Sequence, residues 1–304
     1  MIVCSAEEVA AGDNDKGRVA MRRWQIGDVT VTRVVEIQID GSTKFILPQA
    51  TREECLQIDW LRPHFMDDKG NLRMSVHGLI IDTGKRKIMV DTCIGNDKPR
   101  SIPAWDHMQT HFLEDMAQAG YPREDIDTVL CTHLHVDHVG WNTMLVDGHW
   151  VPTFTNARYL FSAREWDYWN ASEPGRYGPV IEDSVRPVVE AGLVDLVNDD
   201  HVLCLEVRLQ STPGHTPGHV SVIIESNGRR AMITGDFMHH PVQMTRTHWG
   251  SSADYDKIVA RRTREEVLAS CAADETLVIG THFATPTAGY VKELLAGGYY
   301  LATD

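Results

Sequence analysis

No stretch of the 304-residue chain approaches the ~18 consecutive apolar residues that a bilayer-spanning helix needs, so no membrane span is expected. Cationic residues are scarce: 29 Lys and Arg stand against 43 Asp and Glu, a formal charge of -14. That balance disfavours nucleic acid or any other polyanionic partner. The six cysteines, Cys4, Cys55, Cys93, Cys131, Cys204 and Cys271, include no Cys-x-x-Cys and no short regular spacing. Neither a disulfide framework nor a cysteine-built zinc knuckle follows, and free thiols in a reducing cytoplasmic setting fit best. The opening Met1-Ile2-Val3-Cys4-Ser5-Ala6-Glu7-Glu8 lacks a basic stretch and a sustained apolar core, so no secretory signal is expected. No Pro/Ser-rich linker breaks the composition. The expectation is a polar, mobile arm over residues 1–22 and a single domain over residues 23–304. The tract from Asn170 to Pro187, with Pro174, Gly175, Gly178 and Pro179, reads as an irregular surface insertion.

Histidine, by contrast, is plentiful, with 15 residues, and its distribution is uneven. Thr132-His133-Leu134-His135-Val136-Asp137-His138-Val139-Gly140 places four potential metal ligands within six residues. One coil of loop could aim such a set at two neighbouring ions. A closed ligand set needs further donors brought in from distant segments, and three candidates answer. His215 lies in the Gly/Pro-rich Ser211-Thr212-Pro213-Gly214-His215-Thr216-Pro217-Gly218-His219, where turn geometry can hold a side chain. Asp236 follows the apolar run Arg230-Ala231-Met232-Ile233-Thr234-Gly235, and His282 follows Thr276-Leu277-Val278-Ile279-Gly280-Thr281. Three times an apolar strand pattern stops and a ligand begins, at Val129-Leu130-Cys131-Thr132 before His133 and at these two runs before Asp236 and His282, and sites are usually built on such strand-end loops.

The pattern His-x-His-x-Asp-His followed by a distant His, an Asp and a final His resembles that of the metallo-β-lactamase-fold hydrolases, from about Ile26 to about Tyr290. The resemblance implies that His133, His135 and His215 hold one metal, that Asp137, His138 and His282 hold the other, and that Asp236 bridges them. It implies an αββα sandwich, two mixed sheets packed face to face with helices outside. Asp91, at the end of Ile88-Met89-Val90, resembles the family's supporting Asp, which accepts a ring N–H from a ligand His. His219, four residues after His215, falls outside the family's ligand set and is expected to be a hydrogen-bonded structural residue.

The coarse reading of the chain agrees with that architecture. Val29, Val31, Val34 and Ile37 alternate with polar residues as in half-buried strands. Val76 to Asp82 and Lys87 to Asp91 flank Thr83-Gly84-Lys85-Arg86, a hairpin by its turn chemistry. Trp105 to Ala119 shows helical spacing through Met108, Phe112 and Met116. Arg158 to Phe161 reads as a strand, and Ser162 with Glu165 as a capping box opening a helix. Val202 to Leu209, His219 to Glu225 and Arg229 to Thr234 read as strands, the last two joined at Asn227-Gly228. Ser252 to Cys271 reads as the longest helix. Clustered strands with helices between clusters suggest an α/β sandwich without any appeal to family.

Two divalent ions at roughly 3.5–4 Å that share a carboxylate can lower the pKa of a shared water toward 7 and polarise a carbonyl or phosphoryl oxygen. The expected activity is metal-dependent hydrolysis of a small molecule by a metal-bridging hydroxide, with Asp137 both ligating and orienting that nucleophile. Zinc is the default occupant of an imidazole-rich, thiolate-free set, with Mn, Co or Fe accepting similar ligands. In the acyl-homoserine lactonases of this fold a Tyr stands three residues after the bridging Asp; here that position is His239. The Asp-x-x-His form resembles the branch containing methyl parathion hydrolase and related lactonases and esterases, so His239 is a candidate catalytic group for a lactone, carboxylic ester or phosphotriester. The bridging-type Asp236 disfavours β-lactam hydrolysis. A mononuclear-iron dioxygenase on the same scaffold is the alternative of another class. Trp141, Phe237, Met238, His239 and Phe283 adjoin the ligands and could line a pocket or pack the core. Relatives of this kind are often dimers, which leaves room for a homodimer.

Overall fold

The strands sort into two large mixed sheets and one small hairpin. In a computed structural model of the chain, the structure describes residues 6–9, 21–41, 44–172, 175 and 177–303. The backbone divides into two compact units that alternate along the sequence. One comprises the segment ending at Glu36 together with Val76–Asn198, and the other Ile37–Ser75 together with the segment beginning at Asp199.

The first unit is organised on β1 (Ala6–Val9), β2 (Met21–Ile26), β3 (Val29–Gly41, of which 29–36 belong to this unit), β4 (Leu72–Asp82, of which 76–82 do), β5 (Lys87–Val90), β6 (Thr128–Leu130), β7 (Thr143–Val146), β8 (His149–Pro152), β9 (Arg158–Ser162) and β10 (Val194–Val197). The large sheet runs β1-β2-β3-β4-β5-β6-β9-β10, with β7 and β8 as a separate hairpin. β5, β6, β9 and β10 are mutually parallel, in the register Val90↔Leu130↔Leu160. Thr128, Val129 and Leu130 are all buried, as expected of a parallel strand covered on both faces. Where ends of adjacent parallel strands are level, the loops that leave them share one rim. Asp91 leaves β5 there, and Thr132 with His133 leaves β6.

The second unit carries β11 (Val207–Ser211), β12 (Val220–Ser226), β13 (Arg229–Ile233), β14 (Leu277–Ile279), β15 (Ala288–Glu293) and β16 (Tyr299–Ala302), in that spatial order. β13 and β14 are parallel through Ile233↔Ile279. β11 points the same way, because it is antiparallel to β12 and β12 to β13. The carboxyl ends of β11, β13 and β14 therefore lie on one rim, and His215, Asp236 and His282 follow them. Beneath lies a core in which Leu47, Leu61, Phe65, Phe237, Met238, Phe283 and Leu268 are each at most 1% exposed. Each large apolar side chain so buried contributes roughly 1.5–3 kcal/mol.

Several element boundaries differ from the sequence expectation. Residues 6–9 of the anticipated arm pair antiparallel with Met21–Trp24, and β2 begins at Met21; the rest of residues 1–22 lie outside the described residues. Only Phe112–Gln118 of the Trp105–Ala119 pattern is helical. The backbone groups of His107 and Met108 are instead spent on the facing turn, His107 N donating to Lys98 O and Met108 O accepting from Asp97 N, and His107 sits at φ 48. The longest helix is Lys257–Ala273, not Ser252–Cys271, because Asp256 caps it by accepting from Ile258 N and Val259 N. β11 starts at Val207, so Val202–Glu206 is loop with one bridge, Val202 to Arg208. Within the Asn170–Pro187 tract, Ile181–Val185 is a π-helical turn that leads into the helix Arg186–Glu190, while Glu173, Pro174 and Arg176 lie outside the described residues. No helix among the described residues is long and apolar enough to cross a membrane.

Candidate metal centre

In the first unit one buried carboxylate organises the His-x-His-x-Asp-His loop. Asp91, 1% exposed and held in the left-handed region at φ 57, accepts from Thr132 N (2.7 Å), Thr132 Oγ1 (2.9 Å) and His138 Nδ1 (2.9 Å). Since the Thr132 hydroxyl proton is committed to Asp91, Thr132 Oγ1 accepts from His133 Nδ1 at 3.1 Å. His133 and His138 thus both carry their proton on Nδ1 and present an Nε2 lone pair. His133 Nε2 faces His135 Nδ1 at 3.0 Å, and His138 Nε2 faces Asp137 Oδ1 at 3.7 Å. His135 and Asp137 are half-buried and the other two are buried.

Two further groups hold this loop. Glu165 in the helix Ala163–Asn170, whose N-cap is Ser162 as expected, accepts from Leu134 N (3.1 Å) and Trp169 Nε1 (2.6 Å). The Trp169 indole then stands edge-on to His135, with ring centroids 5.3 Å apart. Behind the loop, Gly140 packs so tightly on Ile94 that a Cβ there would lie 1.8 Å from Ile94 O. Glu36 ties the same region together by accepting from Ile94 N, Gly95 N and Trp141 Nε1. Burial pushes the Glu36 carboxyl up to about 7, opposed by these hydrogen bonds and that of Thr110.

In the second unit, three imidazoles meet at the carboxylate of Asp236. His282 Nε2 lies 3.1 Å from Asp236 Oδ1, while His239 Nε2 (3.2 Å) and His215 Nε2 (3.6 Å) lie by Asp236 Oδ2. The opposite ring nitrogens decide the tautomers. His282 Nδ1 is 3.0 Å from the Ser75 carbonyl, which only accepts, so His282 carries its proton there. His215 Nδ1 donates to Asp254 Oδ1 at 3.0 Å. Burial pushes the Asp254 carboxyl upward, yet both its oxygens accept N–H groups, from His215 and Ser251, and Arg264 lies 3.9 Å away, which holds it as a carboxylate. The Nε2 lone pairs of His215 and His282 consequently face the carboxylate of Asp236. His219 is not a donor of this kind: its Nδ1 donates to Thr212 O (2.9 Å) and its Nε2 accepts from Asp236 N (2.7 Å), so it fixes the backbone of Asp236.

Lone pairs that converge on one another and on carboxylate oxygens repel unless a cation lies among them. That occurs in both units, at His138 Nε2 with Asp137 and at His282 and His215 with Asp236, and it is what a divalent metal bound by imidazole and carboxylate requires. The residues present therefore fit metal ions. His215, Asp236 and His239 form one candidate ligand group among the described residues, all buried.

The sequence reading misses Asp254, which touches His215 from 39 residues away with no motif to announce it, and it reads Glu165 only as part of a helix cap, not as the acceptor for Leu134 N 31 residues away. Of the suspected pocket walls, Phe237, Met238 and Phe283 belong to the core cluster, and Trp141 stacks on Phe112 and donates to Glu36.

Residues 73–282 match the family described as the Metallo-beta-lactamase superfamily. An N-acyl homoserine lactonase of a Bacillus species is 28% identical over 118 residues, 39% of this chain and 40% of that protein. The chain thus matches about two fifths of that relative's length. A probable metallo-hydrolase of Bacillus subtilis, YybB, is 24% identical over 196 residues, 62% of this chain and 76% of its own. Among solved structures, that of AidC, a dizinc quorum-quenching lactonase with a bound product, superposes with TM-score 0.76 at 20% identity over 93% of this chain and 98% of the other. The hydrolase AbOPH of the β-lactamase superfamily also gives 0.76, at 24% identity over 93% and 96%. These likenesses establish the α/β sandwich fold class.

Proposed function

The chain belongs to the metallo-β-lactamase superfamily, and from that premise we propose that it is a dinuclear metal-dependent hydrolase acting on a lactone, carboxylic ester or phosphotriester. One observation carries the proposal: at His282, His215 and His138 the Nδ1 proton is fixed by an acceptor, so Nε2 lone pairs point at carboxylates. In the proposed assignment His133, His135 and His215 hold one ion, Asp137, His138 and His282 hold the second, and Asp236 spans the two. Two such ions supply Lewis acidity toward a carbonyl or phosphoryl oxygen and acidify water at neutral pH.

The chain's own residues would do the rest. Asp137, with one oxygen 3.7 Å from His138 Nε2, would ligate one ion and accept a hydrogen bond that orients the attacking water or hydroxide. His239 Nδ1 is buried and has no hydrogen-bond partner among the described residues, so it is available to a substrate oxygen or leaving group. Asp91 and Asp254 hold ring orientations without touching substrate. Residues 23–304 are proposed to act as one hydrolase domain. The unpaired Cys55, Cys93, Cys131, Cys204 and Cys271 support a reducing, cytoplasmic location. The lactonase names among the relatives support trying acyl lactones first.

Metal analysis of the purified protein tests the reading, with two divalent ions per chain expected and zinc first among them. A panel of acyl lactones, aryl esters, phosphotriesters and β-lactams then separates the substrate classes. One iron per chain with oxygen uptake on a persulfide would overturn the hydrolase assignment, as would inactivity of a fully metallated enzyme on the first three classes.

A further inference from the structure

The helix Lys257–Ala273 carries a fully buried arginine that no motif predicts. Arg264 donates from Nε to Phe237 O (3.0 Å) and from Nη1 to Thr247 O (2.7 Å), and its Nη2 lies 3.9 Å from Asp254 Oδ2, with no exposure of either side chain. Its partners sit on two separate stretches of chain: Phe237 on the turn after β13, and Thr247 with Asp254 on the connection 246–256. Phe237 immediately follows Asp236, and Asp254 is the acceptor for His215 Nδ1. A single rigid guanidinium thus links the loop of the carboxylate donor to the side chain that orients an imidazole donor.

The same helix and the two residues before it also grip the His215 loop directly. Thr263 Oγ1 donates to Pro213 O (2.6 Å), Asp256 N to Gly214 O (2.9 Å) and Tyr255 N to His215 O (3.0 Å). Gly214, at φ +124, lets the loop approach so closely that a Cβ would stand 2.3 Å from Ala260 N. Asp254 is itself placed by Ser251 N, which donates to its Oδ2 at 2.8 Å. Arg fits this task where Lys cannot, because its planar fork reaches several acceptors at once in fixed geometry.

We infer that Asp254 and Arg264 are positioning residues for the metal donors: Asp254 sets the tautomer and ring plane of His215, and Arg264 fixes Asp254 relative to the Asp236 loop. The pair therefore sets the affinity for the ion that His215 ligates. This rests on the two-metal reading given above. Asp254→Asn keeps the volume but presents an amide N–H or a weaker, neutral acceptor to His215 Nδ1. Arg264→Lys keeps the charge but not the span.

Metal-free wild type, Asp254→Asn and Arg264→Lys should be titrated with Zn²⁺ against a chromophoric chelator, with unfolding midpoints measured on the same metal-free samples. One of the two ions should weaken by about 10–100-fold in Asp254→Asn and by a smaller factor in Arg264→Lys, while the other stays within about 3-fold. NMR of the histidine rings should show an exchange-protected Nδ1–H in the wild type that is lost or shifted in Asp254→Asn. A wild type that binds no divalent metal would sink the two-metal reading itself. Wild-type binding of two ions alongside unchanged affinities and ring signals in Asp254→Asn would overturn the positioning role alone, and so would equal weakening of both ions in step with loss of the fold.

Discussion

Asp91→Asn is the sharpest probe of how the loop after β6 presents its donors. Asp91 Oδ1 accepts from Thr132 N at 2.7 Å, while Oδ2 accepts from Thr132 Oγ1 and His138 Nδ1, both at 2.9 Å. Asparagine tolerates the left-handed φ of 57 at this position and matches the side-chain volume, so backbone strain does not confuse the result. With its amide oxygen toward Thr132 N, the NH2 group must face His138 Nδ1. Donor then meets donor, and His138 relieves the clash only by moving its proton to Nε2, the atom needed as a lone pair. The lost charge-assisted bond costs about 1.5–3 kcal/mol in the metal-free protein, read by urea denaturation. Affinity for the ion ligated by His138 falls by about 10–100-fold, read by chelator competition. Thr132 Oγ1 also loses its strongest acceptor, so His133 is disturbed and the second ion weakens less steeply. An Asp91→Asn protein that holds two ions as tightly as the wild type would refute the tautomer argument.

Asp137→Asn, measured with both ions bound, should cut turnover by about 10²–10⁴-fold, and near-wild-type activity in a fully metallated variant would remove its role with the nucleophile. His239→Gln should lower kcat by about 10²-fold without changing metal content if its ring serves a substrate oxygen, whereas unchanged kcat and KM would leave it a buried packing residue. Gly140→Ala forces a Cβ to within 1.8 Å of Ile94 O and 2.0 Å of Ile94 C, so denaturant unfolding should show a loss of about 3 kcal/mol or more. Burial lifts Glu36 to about 7 from an ordinary 4.5, so between those pH values the folded chain holds a proton that the unfolded chain has released. Stability should fall by about 3 kcal/mol as pH rises through that window, at 1.36 kcal/mol per pKa unit. Glu36→Gln should abolish that slope in urea titrations at pH 5, 6 and 7, and an unaltered slope would assign it to other groups.

Elements whose signal is local were legible. The Thr83–Arg86 turn, the Asn227-Gly228 turn and the Ser162 cap each depend on residues within four positions of one another, and each forms as read. The misreadings share a cause: a local pattern lost to a partner far away in sequence. Trp105 to Met108 have helical spacing, yet the backbone of His107 and Met108 bonds to Asp97 and Lys98. Ser252 could open a helix, but its N–H donates to Ile46 O, and Asp256 caps the helix instead. Residues 6–9 carry little apolar signal, yet strand pairing needs only backbone groups, and β2 offers them.

The proposed metal donors stand out in the sequence for a different reason. Chemistry limits which residue types can serve, and parallel strands such as β5 with β6 and β13 with β14 deliver their following loops to a common rim, so donors recur just past apolar runs. The groups that orient those donors obey no such rule. Asp91 is anticipated by the family resemblance rather than by spacing. Asp254 and Arg264 lie on a loop and a helix whose contact with His215 depends on how Gly214 admits Ala260, a packing fact invisible in spacing. A sequence therefore names the atoms that can hold a metal more readily than the atoms that decide how well they hold it. In this chain one arginine, Arg264, ties Asp254 to the turn that carries Asp236.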